Sequence, residues 1–83
     1  MQPIMLIYDI ENDRQRAKIA EACKDYGLDR IQYSAFVGWL SRNYAEELML
    51  EIEAILEEGR GDIQLILMPE KTWNERMVVT HAG

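Results

Sequence analysis

Eighty-three residues, 48% hydrophobic and 29% charged with a net charge of −6, describe one small domain and exclude a disordered or low-complexity chain. The charge is uneven: residues 1–42 carry six basic side chains (Arg14, Arg16, Lys18, Lys24, Arg30, Arg42) against six acidic ones, and residues 43–83 carry three against nine, so a polyanion is not repelled from the first half. The single Cys23 excludes an internal disulfide and points to a reducing, cytoplasmic setting, and with no apolar run of about 18 residues and no charged-then-apolar leader, neither a membrane span nor a signal peptide is expected.

The chain opens on Pro3, tolerated at the first position of a strand, and an apolar run from Ile4 to Tyr8 that predicts a buried strand ending near Asp9. A carboxylate at a strand's end sits on a rigid element and still meets solvent, which suits a metal ligand or a general base; a simple turn uses the same residue type. Asn12 or Asp13 caps a helix expected over 14–26 and stopped by Gly27. Its apolar stripe runs through Ala20 and Cys23, so Cys23 reads as a small core hydrophobe. Arg14, Lys18 and Lys24 lie off that stripe, whereas Arg16 sits near its edge, close to the end of the first strand.

From Arg30 to Leu40 the residues alternate, with Ile31, Tyr33, Ala35 and Val37 on one face and Gln32, Ser34 and Phe36 on the other, which therefore reads as mixed. Gly38 suggests a bulge or break, leaving open one long strand or two short ones. Ser41 or Asn43 caps a second helix, with Asn43 and Glu46 at capping-box spacing. Ala45, Leu48, Met49, Ile52, Ile55 and Leu56 form its apolar stripe, and Glu46, Glu47, Glu51, Glu53, Glu57 and Glu58 its solvated face. After Gly59-Arg60-Gly61 comes a strand over 62–68, stopped by Pro69, then a helical turn over 70–76 and a last strand over 77–80. His81, near the terminus and without a partner histidine, reads as a tail residue.

This order predicts an α+β, ferredoxin-like β-α-β-β-α-β sandwich with an antiparallel sheet, helices on one face and an extra C-terminal strand. We read residues 1–83 as a single domain, with the core over 1–68 and a dimer-pairing appendage over 69–83. The uncovered sheet face needs a partner, and in so short a chain a second copy, a homodimer, is the natural one. No phosphate-binding glycine loop, dinucleotide fingerprint, zinc spacing or Ser/His/Asp set is present, so nucleotide hydrolysis, dinucleotide binding and acyl transfer lack support. What remains is Asp9 beside Tyr8, the cations Arg14, Arg16 and Lys18, then Arg30, and Phe36 as an aromatic for a base: the parts of a phosphodiester-binding site.

Two runs together carry a family resemblance. Tyr8-Asp9-Ile10, then Asp13, Arg16 and Lys18, followed by Gly27 through Phe36 with Gly38 and Leu40, resemble the second CRISPR-associated protein family, the small partner of the spacer-acquisition integrase. The resemblance covers nearly the whole chain and extends to Met68-Pro69-Glu70 and Met77-Val78-Val79, similar to the family's short turn and swapped strand. It implies a ferredoxin-like homodimer in which Asp9 of each protomer faces its twin across the two-fold axis. The pair would hold one Mg²⁺, with Mn²⁺ as the alternative ion, for phosphodiester cleavage. It assigns substrate contact to Tyr8, Arg16, Lys18, Arg30 and Phe36, with Asp13 as a cap. Lys18 stands where an Arg is common, Ala35 where Val is usual, and Val37 and Trp39 where more polar residues often occur.

Two functions from different classes follow from the resemblance. One is a metal-dependent endonuclease acting on single-stranded RNA or duplex DNA. The other is a non-catalytic dimer that grips prespacer DNA through Arg14, Arg16, Lys18 and Arg42 and bridges integrase subunits. A small ferredoxin-like ligand sensor leaves the Tyr8-Asp9 and 30–38 runs unexplained, and a phosphoacceptor receiver domain is too long for this chain.

Overall fold

Parity along the first strand decides which residues join the core. In the computed structural model, which describes residues 1–81, β1 (Gln2–Ile10) turns Ile4, Leu6, Tyr8 and Ile10 toward the helices, and Met5, Ile7 and Asp9 away from them. Asn12 ends the following turn and caps α1 (Asp13–Asp25), its side chain accepting from the Gln15 amide at 2.9 Å. Gly27, at φ +81°, supplies the left-handed residue that stops the helix. Ile19, Ala20, Ala22 and Cys23 are buried, with Cys23 fully enclosed as expected of a core hydrophobe. Burial pushes its thiol pKa up to about 12, against the opposing pull of Arg30.

The 30–40 stretch is two strands, β2 (Asp29–Gln32) and β3 (Ala35–Leu40), joined by a hairpin at Tyr33 and Ser34. A bulge lies between Arg30 and Gln32. The break is not at Gly38, which lies within β3 for a packing reason. A Cβ there would meet Leu28 Cδ2 at 2.5 Å, and buried Leu28 occupies that space. Ser41 caps α2 (Arg42–Leu56) by accepting from the Tyr44 amide, and Glu46 pairs with Arg42 at 3.1 Å, so the Asn43–Glu46 capping box is not formed. The helix ends at Leu56, with Glu57 at φ 51° in the left-handed region.

β4 (Gly61–Leu67) and the short α3 (Glu70–Asn74) complete the described elements. The sheet order is β2-β3-β1-β4, every neighbouring pair antiparallel, as a ferredoxin-like chain requires. α1 and α2 cover one face over a core that includes Ile4, Leu6, Phe36, Leu48 and Ile52. The result is a plate 37 × 36 × 19 Å, with the second sheet face left open. The strand expected over 77–80 is not formed within the single chain. Met77, Val78 and Val79 are 97%, 67% and 86% exposed and pair with no strand of the sheet.

Candidate metal and nucleic-acid site

Asp9 is exposed at the end of β1, on the helix-free face. Its ladder partner is Asp62, the second residue of β4, so two carboxylates face the same side a cross-strand spacing apart. The strand ends approach closely because residue 61 is glycine: a Cβ there would meet Ile10 Cγ1 at 2.8 Å and the Asp9 carbonyl at 3.0 Å. Asp9, Glu11, Arg60, Gly61 and Asp62 line a shallow depression of about 180 Å³. Sequence reasoning missed Asp62 and Arg60. The signal was available, because in an antiparallel pair the end of one strand lies beside the start of the next.

These oxygen donors are hard ligands of the kind Mg²⁺ and Mn²⁺ take, and unlike those of a zinc centre. Among the described residues, no group of three or more His, Cys, Asp or Glu is placed to hold a metal within one chain.

The other expected site residues occupy the opposite layer. Phe36 is fully buried and stacks on Tyr8 with ring centroids 6.2 Å apart, so it is core and not a surface for a base. The expectation fails because the Phe36 side of β3 is the helix-packed side: Phe36 pairs with Leu6 of β1, whose even-numbered residues all face inward. Tyr8 is likewise buried, and only its hydroxyl reaches the rim. There it donates to the Tyr33 carbonyl at 3.3 Å and accepts from Arg30 Nη2 at 3.4 Å.

Arg16 ties the β1–α1 turn together. Its Nη1 donates to the Ile10 carbonyl at 2.9 Å, and its Nη2 pairs with Asp13, which is helical and not the cap. Partial burial opposes the Arg16 charge, but Asp13 and Tyr33 outweigh it and hold the guanidinium above its usual range. Arg16 and Arg30 both lie over the Tyr33 ring, at 5.3 and 5.8 Å from its centroid, and Arg30 also covers Phe36 at 5.1 Å. Asp13, Arg16, Ala17, Ala20, Glu21 and Lys24, one face of α1, line a trench of about 530 Å³ with Arg30 and Tyr33. Arg14 is exposed. Lys18 turns to the other side of α1, toward Glu51 and Ile55 of α2, so Arg16 and Lys18 do not converge.

Three comparisons bear on this arrangement. A family model described as CRISPR associated protein Cas2 matches residues 1–76. A CRISPR-associated endoribonuclease Cas2 of Chloroflexus aurantiacus is 47% identical over 75 residues, spanning 90% of this chain and 88% of that protein. A Cas1/Cas2 endonuclease fusion of Thermoproteus tenax is 33% identical over 69 residues, spanning 83% of this chain and 26% of the fusion. A solved structure of a hypothetical protein from Thermus thermophilus is similar with a TM-score of 0.79 at 26% identity, covering 99% of this chain and 93% of that one.

Proposed function

The chain belongs to the Cas2 family of CRISPR-associated proteins, and from that premise we propose a homodimeric metal-dependent nuclease of spacer acquisition. Asp9 of each protomer comes to a shared seam, and the pair binds Mg²⁺ or Mn²⁺. The observation that carries this reading is the exposure of Asp9 on the helix-free sheet face, which also presents Met5, Ile7, Trp39 and Ile66. A face of that apolar content needs a cover, and a second copy related by a two-fold axis brings each carboxylate toward its twin. The apolar segment 77–79 supports the same dimer, since the outer edge of β4 is open to strand addition from a partner.

When bound, the divalent ion supplies Lewis acidity toward water and the phosphoryl oxygens. Asp9 contributes the carboxylate that holds it, from a rigid strand end. Arg60, in the same depression, is set to take a phosphate oxygen. Single-stranded RNA is the first substrate to test, because the Chloroflexus aurantiacus relative is named an endoribonuclease; duplex DNA is the second. An integrase subunit as partner is supported by the Thermoproteus tenax relative, in which the two polypeptides are fused.

A second reading is favoured by one observation: Arg14, Arg16, Lys18 and Arg42 belong to the helical layer, on the opposite side of the sheet from Asp9. That separation suits a dimer that grips prespacer DNA and bridges integrase subunits with no part played by the acid. Asp9→Asn distinguishes the two. In a folded dimer it abolishes cleavage under the first reading, and if spacer acquisition is also lost the nuclease is the biological function. Acquisition that survives intact assigns the scaffold role, and cleavage that survives the substitution removes the enzymatic reading.

A further inference from the structure

Arg60 stands out on the rim of the Asp9 depression because nothing in the described chain holds its charge. It is exposed, it lines the depression with Asp9, Glu11 and Asp62, and it forms no ion pair among the described residues. Three carboxylates in one shallow depression would draw a freely moving guanidinium onto one of them. The backbone of Arg60, however, is seated on both sides. Gly61 lies against the end of β1, where a Cβ would meet Ile10 Cγ1 at 2.8 Å. Gly59 lies against α1, where a Cβ would meet Gln15 Oε1 at 2.5 Å and Nε2 at 2.7 Å.

One carbonyl joins this loop to α1. Leu56 ends α2, and its oxygen accepts from Gln15 Nε2 at 2.9 Å and from the Gly59 amide at 2.8 Å. Gln15 is itself fixed by the Asn12 cap, two residues past Ile10. The contacts therefore close a ring: the end of β1, the first turn of α1, the end of α2, then Gly59, Arg60 and Gly61 back to β1. Between α2 and Gly59 the backbone turns through Glu57 at φ 51°, a left-handed geometry that a non-glycine residue holds only where its surroundings fix it.

We infer that Gly59-Arg60-Gly61 is an anchor for a backbone phosphate and that Gln15 is its positioning residue, holding the loop so that Arg60 faces a phosphodiester and not the carboxylates beside it. The inference rests on the nucleic-acid reading above and adds to it a residue that touches no substrate. A guanidinium takes two non-bridging phosphate oxygens at once through its paired N–H groups. That contact reads no base, so it serves RNA and DNA of any sequence alike. It also fixes positive charge where a phosphodiester meets Asp9, Glu11 and Asp62. Only the Nε2 of Gln15 is engaged, its Oε1 being buried without a partner, so the side chain acts through its one bond to Leu56.

The test measures how RNA binding by the full-length protein responds to salt. Fluorescence anisotropy with labelled single-stranded RNA, Ca²⁺ as the divalent ion and the RNA checked intact on gels, is repeated across a series of KCl concentrations. Arg60→Gln is expected to lower the slope of log affinity against log salt by about 0.7, the loss of one single-strand phosphate contact. Gln15→Met keeps length and charge but removes the donor to Leu56, and it is expected to lower the slope by the same amount. A residue that only stabilises the fold leaves the slope of the folded protein where it was. The double variant is expected to lose no more than either single one. Gly59→Ala presses a methyl onto the Gln15 amide from the loop side, and reads the same contact if Gln15→Met does not fold. A native slope in folded Gln15→Met and Gly59→Ala, or additive losses in the double variant, overturns the positioning role. A native slope in Arg60→Gln overturns the anchor. Either result leaves the Asp9 reading in place, whereas native protein that binds neither this RNA nor a duplex DNA of the same length overturns both.

Discussion

Cys23 shows how a single buried side chain sets a pH limit on the fold. Its thiol is enclosed in the core, and burial pushes its pKa from the ordinary value of about 9 up to about 12 in the folded state. A folded pKa above the unfolded one favours the protonated form, so this contribution to stability is fully present below about pH 9 and is lost as pH rises toward about 12. Chemical denaturation across that window is expected to give midpoints that fall with pH more steeply for native protein than for Cys23→Ala. A thiol reagent at neutral pH is expected to modify Cys23 only after the chain unfolds. Arg16 and Phe36 illustrate the limits of reading roles one residue at a time. Arg16 was legible as a residue near the end of the first strand, and there it bonds Ile10. Phe36 was misread, because alternation separates two faces without saying which one the helices cover. β1 gives no help, since Met5 and Ile7 on its open face are as apolar as Ile4 and Leu6 on the closed one.

Among elements, the two helices and their stripes were legible because a 3.6-residue period over 13 or more residues has no competing explanation. The hairpin was not. Gly38 drew the expected break because glycine often marks a bulge, yet the chain turns at Tyr33 and Ser34, and glycine is present so that Leu28 can pack onto β3. This makes Gly38→Ala informative. The new methyl meets Leu28 Cδ2 at 2.5 Å and the Leu28 backbone at 3.3 Å, so either the side chain or the 27–28 turn must shift. A loss of about 1–3 kcal/mol in urea unfolding is expected, the range for an overpacked core. Leu28→Ala in the same chain is expected to recover part of it, because it vacates the space the methyl needs. Two changes that add independently place the cost in the strand and not in the contact. The carboxylate pair at the β1–β4 end was beyond the sequence for a related reason: Asp9 and Asp62 are 53 positions apart, and register alone brings them together.

For the molecule as a whole, the open sheet face and the unpaired segment over 77–80 are the features the single chain leaves incomplete. The uncovered face was foreseeable from two helices over four strands; the absence of ladder bonds at 77–80 was not, because a β-rich pattern does not say in which copy its partner lies. The dimer reading has a consequence that does not depend on knowing the interface. If catalysis needs one Asp9 from each protomer, a heterodimer of native and Asp9→Asn chains is inactive. Native and variant protein are mixed in known ratios, reassorted under mild dissociating conditions and restored, and cleavage is measured at constant total protein. Random reassortment leaves fully native dimers in proportion to the square of the native fraction, so an equal mixture is expected to retain about one quarter of native activity. A protomer that cuts with its own Asp9 and Asp62 gives about one half in the same mixture, a linear dependence instead of a quadratic one. A linear result moves the metal from the seam between chains to the β1–β4 end within each chain, and mixing Asp62→Asn chains in the same way then locates its second carboxylate.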